Sequence, residues 1–175
     1  MRTLDSLFVL SEVAAVLGIK ANTLRMWRTD RFSEFFEGFT GHHKFRPIDV
    51  CRLAVALALA DVGFSHEEAF KIALRGDGAR GEKLSNHLVK LCQGSADDRL
   101  FFISPRGGYP KLDAALSRFV AAAQFVYERE GETSEAEVWS ARDEIGEGVV
   151  HTVVKIDVTA VVRITLMRLL GGADE

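Results

Sequence analysis

The sequence predicts a mainly α fold with a small β component, an α+β chain in two parts. Three observations predict it. Apolar residues recur at helical spacing across most of the first 92 residues and again over the last helix-like run, 158–170. Runs with strand character are few and short. A stretch with three glycines in seven residues, Arg75-Gly-Asp-Gly-Ala-Arg-Gly81, carries no large apolar side chain and reads as a linker. The predicted boundaries are an N-terminal domain over 1–75, a linker over 76–81, and a small α/β domain over 82–175. With 47% hydrophobic residues, 27% charged residues and three prolines, 175 residues suffice for a core without disulfide or metal staples.

In chain order, Leu7 to Leu10 leads in, with Phe8 or Leu10 placed as a hydrophobic staple. Ser11 is a suitable N-cap for a first helix, with Val13, Val16 and Leu17 on one face. Gly18 supplies a left-handed stop, and Ile19 is placed to plug the gap to a second helix that starts near Ala21. On that second helix Leu24 and Trp27 point inward. Ala21, Asn22, Arg25, Arg28 and Thr29 point outward. A helix that hides leucine and tryptophan and presents arginine, an amide and small residues suits the major groove of DNA, where Arg pairs bidentately with guanine and Asn with adenine. The same spacing also fits an ordinary helical hairpin with a solvated basic face.

Phe32, Phe35, Phe36 and Phe39 form an aromatic connector, read as packing material because a duplex exposes no base faces to stack on. Gly38 to Phe45, GFTGHHKF, reads as a hairpin with His42, His43 and Lys44 at its basic tip. Pro47 suits the first turn of a third helix, with Val50, Leu53, Ala54 and Leu57 as its buried stripe and Gly63 as its stop. Ser65-x-x-Glu68 is a capping box for the next helix, which turns Ala69, Phe70 and Ala73 inward.

At this point residues 7–75 resemble the MerR-type winged helix-turn-helix. The resemblance rests on SEVAAVLGI, on Thr23-Leu24-Arg25 followed by the bulky pair Met26-Trp27, and on Lys44-Phe45-Arg46 ahead of Asp49-Val50 and Arg52-Leu53. Gly63-Phe64-Ser65 and Glu67-Glu68-Ala69 complete it. It implies a recognition helix in the major groove and a wing on the flanking backbone or minor groove. Asn22 and Arg25 are then the base readers. Lys20, Arg28, Lys44 and Arg46 are phosphate contacts, with Ala21, Thr29, His42 and His43 on the same surface. Two positions depart from the family pattern. Lys20 stands where a hydroxyl residue usually caps the second helix, and Asn22 stands where many members carry arginine, so base preference at that contact differs.

The resemblance ends at the linker. Regulators of that family continue into a long dimerisation helix, whereas here the glycines at 76–81 and Gly94-Ser95 interrupt any sustained heptad pattern. Leu84, Leu88, Leu91 and Cys92 predict a helix. Leu100–Ser104 predicts a strand, and Leu112 to about Glu130 another helix. Ala136–Ala141 and Val149–Ile156 predict two strands around Gly146-Glu147-Gly148. Asp157 is placed to cap a final helix, Val158–Leu170, with Val158, Val161, Val162, Thr165, Leu166 and Leu169 as its apolar face. This domain is expected to dimerise or to bind a partner or effector.

Charge and chemistry narrow the function classes. Residues 1–52 hold eight Lys/Arg against six Asp/Glu, a net +2, which leaves 14 against 19, a net −5, for the rest. A modestly basic head on an acidic body fits a sequence-selective binder better than a protein that coats DNA. None of the five histidines (His42, His43, His66, His87, His151) lies in a metalloprotease-type motif, no serine sits in an elbow motif, and the linker lacks a P-loop ending. No enzymatic activity, cofactor or metal is expected. Adjacent His42 and His43 without a cysteine or acidic neighbour are weak metal ligands. Cys51 and Cys92 are too few for a disulfide framework and read as thiols of a reducing compartment. The longest apolar run, Leu53–Ala60, is too short to span a membrane.

The expected function is a cytoplasmic, nucleoid-associated transcriptional regulator of bacterial or phage type. Its expected partners are double-stranded DNA at a (pseudo)palindromic site, a second copy of the chain, and RNA polymerase or another protein; no membrane is among them. The alternatives are a DNA-binding part of a mobile-element machine, of excisionase or terminase-small-subunit type, and a protein-interaction module.

Overall fold

A computed structural model describes residues 3–36, 44–75, 82–94, 99–106, 124–128 and 152–171. They form a mainly helical molecule with a few short antiparallel strands. Two compact units are present, Met1–Ala96 together with Ala160–Glu175, and Asp97–Thr159. The sequence divides the chain at 76–81; the compact units divide after Ala96 and again inside the last helix.

The first unit opens with strand β1 (Phe8–Val9), which pairs antiparallel with β2 (Lys44–Phe45), Phe8 opposite Phe45 and Val9 opposite Lys44. This pairing keeps the backbone extended through Val9 (φ −84°, ψ 160°), so helix α1 starts at Leu10 and spans Leu10–Leu17. Ser11 therefore lies inside the first turn and is not the N-cap. The Glu12 carboxylate instead accepts the Val9 N–H at 2.9 Å. Gly18 ends α1 at φ 68°, in the left-handed region that side chains rarely adopt, and the Ile19 N–H closes back on the Ala14 carbonyl at 3.0 Å. Helix α2 (Ala21–Met26) follows after one extended residue, Lys20. It widens at Trp27–Arg31 into a π-helical turn, closed by Phe32 N–H on the Trp27 carbonyl at 2.9 Å. A single turn, α3 (Ser33–Phe36), leads toward β2.

Helix α4 (Pro47–Asp61) begins on its proline, as the fixed φ and missing N–H of that residue favour. It buries Val50, Leu53 and Ala54 as predicted, but the stripe is wider than expected. Val55, Ala56 and Leu59 are buried as well, and Leu57 only half. A helix covered on most sides is the axis of its unit. Gly63, at φ 97°, turns the chain into α5 (His66–Arg75). The Ser65–Glu68 capping box is present in full. Ser65 N–H donates to the Glu68 carboxylate at 3.0 Å, and Glu68 N–H donates to the Ser65 hydroxyl at 3.2 Å. Phe70 on α5 gathers the connector. It stacks on Phe32 at 4.4 Å between ring centroids and takes Phe35 and Trp27 edge-on at 4.8 and 5.3 Å. The connector rings are thus packing elements, as read; Phe39 lies outside the described residues. Helix α6 (Glu82–Cys92) buries Leu84, Leu88 and Leu91 and packs on α4.

The second unit is built on a three-stranded antiparallel sheet in the order β4 (Gln124–Glu128), β3 (Arg99–Arg106), β5 (Thr152–Asp157). Arg99 lies opposite Glu128 on one side, and Phe101 opposite Asp157 on the other. The helix predicted to run to about Glu130 is corrected here. Residues 124–128 are a strand, because Phe125, Val126 and Tyr127 suit a pleated surface and β3 offers an unpaired edge. Residues 112–123, 136–141 and the 146–148 turn lie outside the described residues. Leu100 and Phe102 are buried on one face of β3. On the other, Phe101 is covered by cations, with the Lys155 ammonium 4.2 Å and the Arg99 guanidinium 5.1 Å from its ring centre. Arg99 also pairs with Asp157. Helix α7 (Val158–Leu170) follows directly; Val158 and Thr159 close this unit, and from Ala160 the helix belongs to the first unit, with Val158, Val162, Thr165, Leu166 and Leu169 buried and Val161 half-buried. Its Thr159 hydroxyl accepts the Leu100 N–H at 2.8 Å. No helix among the described residues is long and apolar enough to cross a membrane.

Candidate nucleic-acid interface

The α1–Gly18–α2 corner fixes the orientation of α2. Leu24 is fully buried and Trp27 nearly so, which turns the opposite side of the helix to solvent. Asn22, Arg25 and Thr29 are exposed on that side, Ala21 and Arg28 are half-buried, and Lys20 is exposed at the N-terminal end of the helix. The predicted recognition residues of α2 therefore share one accessible helix surface. That surface is chemically organised. Arg25 donates from one terminal guanidinium nitrogen to the Asn22 side-chain carbonyl at 3.3 Å, one turn back along the helix. Thr29 donates its hydroxyl proton to the Arg25 main-chain carbonyl at 3.2 Å, across the widened turn. Both bonds consume a polar function of the surface. The Asn22 amide keeps its NH2 donors, with its oxygen already accepting from Arg25. Thr29 keeps its methyl and its oxygen lone pairs.

Sequence reasoning passed over Met26 as half of a bulky pair. Its side chain is 55% exposed beside Arg25. A helical wheel carries the signal, since Met26 lies one step from Arg25 and on the far side from Leu24.

On the β1–β2 ribbon, Lys44 is exposed and its backbone pairs with Val9. His42 and His43 lie outside the described residues. Arg46 is exposed too, but it has a structural partner. Its Nε and one terminal nitrogen donate to the two oxygens of Asp49, each at 3.0 Å, and its backbone N–H donates to the same carboxylate at 3.0 Å. Asp49 is completely buried. This bidentate pair fastens the end of β2 to the first turn of α4, and the hydrogen bond to Asp49 raises the Arg46 pKa further. The guanidinium has five N–H donors, two of which go to Asp49. The signal missed in the sequence is Arg46-Pro47-x-Asp49, a cation and an acid three residues apart at a helix start.

No group of three or more His, Cys, Asp or Glu side chains that could hold a metal occurs among the described residues. The chain matches no family model, no curated protein and no solved structure.

Proposed function

We propose that this chain is a sequence-specific DNA-binding transcriptional regulator whose N-terminal part is a MerR-like winged helix-turn-helix. The observation that carries the reading is the accessible face of α2, where Asn22, Arg25 and Thr29 stand opposite buried Leu24 and Trp27, with Lys20 exposed at the helix start. In this reading α2 enters the major groove, and Lys44 with the residues before it follows the flanking backbone. Asn22 and Arg25 read base edges, while Lys20, Arg28, Lys44 and the remaining donors of Arg46 hold phosphates. The regulator acts as a dimer on a (pseudo)palindromic site, since one short recognition helix provides too little contact alone. The exposed pair Ile164 and Met167, one turn apart on α7, supports self-association.

The hydrogen bonds on α2 narrow the base preference. Bidentate reading of adenine needs the asparagine oxygen as acceptor and its NH2 as donor. Arg25 occupies one of the two lone pairs of the Asn22 oxygen, so donors outnumber acceptors on the surface the pair presents. Guanine offers two acceptors in the major groove, N7 and O6, and matches that pattern. The methyl groups of Thr29 and Met26 suit the thymine methyl. The preferred half-site therefore contains a guanine under Arg25.

The test is selection of bound duplexes from a random pool at fixed salt, with the wild-type chain and Arg25→Ala in parallel. The wild type is expected to enrich a motif with a G·C pair. Arg25→Ala is expected to lose about 1–3 kcal/mol on that motif and to relax the position, while Lys44→Ala weakens all sequences alike and lowers the salt slope by about one. A pool that stays random with the wild-type chain would overturn the DNA-binding reading.

A further inference from the structure

Cys51 and Cys92 are 41 positions apart in the sequence and adjacent in space. Cys51 lies in the second turn of α4 and is buried; Cys92 is the last residue of α6 and is partly exposed. The packing of α6 on α4 brings them together. Arg52, next to Cys51, donates to the Ser85 hydroxyl at 3.1 Å. Ser85 and Cys92 are seven residues apart, two turns of one helix face, so the face that meets Arg52 is also the face that carries Cys92. Each thiol shifts the ionisation of the other, through a hydrogen-bonding interaction between the side chains. One thiol is sheltered, the other is reachable from solvent, and both are unoxidised.

We propose that Cys51 and Cys92 form a modification site, in which a hydroperoxide oxidises Cys92 and Cys51 resolves it into an intramolecular disulfide that ties α4 to α6. The inference is independent of the DNA-binding reading. In the first step the Cys92 thiolate attacks one peroxide oxygen, the O–O bond breaks, and the departing hydroxide takes up a proton to leave as water. The sulfur has lost two electrons and is a sulfenic acid. In the second step the Cys51 sulfur attacks the Cys92 sulfur, the S–O bond breaks, and the hydroxide leaves as a second water with the Cys51 proton. Two thiols and one hydrogen peroxide give one disulfide and two waters.

The division of labour follows from the surroundings. The hydrogen bond from Cys51 lowers the Cys92 pKa, against partial burial and the nearby negative charge of Asp49. The same bond raises the Cys51 pKa well above the ordinary thiol range, and its burial and Asp49 act in the same direction. Cys92 is thus the thiol that ionises and that solvent reaches, which are the two requirements for the attacking sulfur. Cys51 is held as a neutral S–H against it.

The test uses the full chain, reduced and then freed of reductant, with hydrogen peroxide as the oxidant. Peptide mass mapping without reduction is expected to show Cys51 joined to Cys92, a chain lighter by two hydrogens, and full reversal by dithiothreitol. The rate is expected to follow peroxide and to be independent of protein concentration. In Cys51→Ala the sulfenic acid at Cys92 is expected to persist long enough for capture by dimedone, and alkylation of Cys92 by iodoacetamide just below the ordinary thiol pKa is expected to slow several-fold. In Cys92→Ser, a milder change at a partly exposed position, Cys51 is expected to resist peroxide. Oxidation of Cys92 to sulfinic acid with Cys51 left intact would overturn the proposal. So would disulfides between chains, or a Cys51 that reacts equally well in Cys92→Ser.

Discussion

Two regions of this molecule bury phenylalanines by opposite means. In the first unit Phe70 lies among Trp27, Phe32, Phe35 and Phe36, all from a segment ten residues long, and the contact is ring against ring. In the second unit Phe101 sits on a central strand, with Lys155 and Arg99 over its ring, and the strand is held by backbone pairing to segments more than 20 and about 50 residues away. The first arrangement concentrates stabilisation in one side chain. The second spreads it over hydrogen bonds and charge contacts that no single side chain dominates. A hub and a ladder fail differently when one residue is removed.

Loss of the hub is the largest effect expected. Phe70→Ala removes the ring that meets four other aromatics and leaves a cavity between α5 and the connector. Buried Phe→Ala changes cost about 3–5 kcal/mol. Urea denaturation is expected to show that loss, and hydrogen exchange is expected to show it first in amides of α2 and the Trp27–Arg31 turn. If the amides of Arg99–Arg106 lose protection to the same degree, hub and ladder belong to one cooperative unit, and the contrast between them is one of contact type only.

The corresponding change on the ladder is smaller. Thr159→Val keeps the shape of a buried side chain but removes the hydroxyl that accepts the Leu100 N–H at 2.8 Å. A buried donor left without its acceptor costs about 1–3 kcal/mol. The exchange rate of the Leu100 amide is expected to rise, with little change at Phe70. A silent Thr159→Val would mean that the neighbouring pairings of β3 carry that strand without its link to α7.

The same contrast explains what could be read from the sequence. Gly18, the Ser65–Glu68 box, the inward set Leu24 and Trp27, and the boundaries Val158–Leu170 are local patterns, each fixed within about one helical turn. They emerged as read. Ser11 was displaced as a cap by the β1–β2 pairing, which is set by Phe45, far outside the window in which a cap is judged. Residues 124–128 turned from helix to strand because their partner is β3, some 25 residues earlier. The face of α2 was legible, since a helical wheel orders it. The Arg46–Asp49 pair was legible in principle from its spacing. The Cys51–Cys92 pair was not, because nothing in either neighbourhood announces the other.

The smallest effect expected sits at the most legible feature. Ser65→Ala removes the hydroxyl that accepts the Glu68 N–H and that also donates to the Glu68 carboxylate at 2.7 Å. The backbone N–H of Ser65 still donates to Glu68, so half of the box survives the substitution. N-cap replacements by alanine cost about 1 kcal/mol, and the surviving half places this one at or below that figure. Ser65 and Glu68 are both exposed, so water can replace the lost bond. The cost is expected to appear as fraying of the first turn of α5, read by faster exchange at the Glu68 and Ala69 amides, while Phe70 and its aromatic neighbours keep their protection. A loss approaching that of Phe70→Ala would show instead that the entry angle of α5 sets the hub. The cap would then control the aromatic packing rather than merely finish a helix.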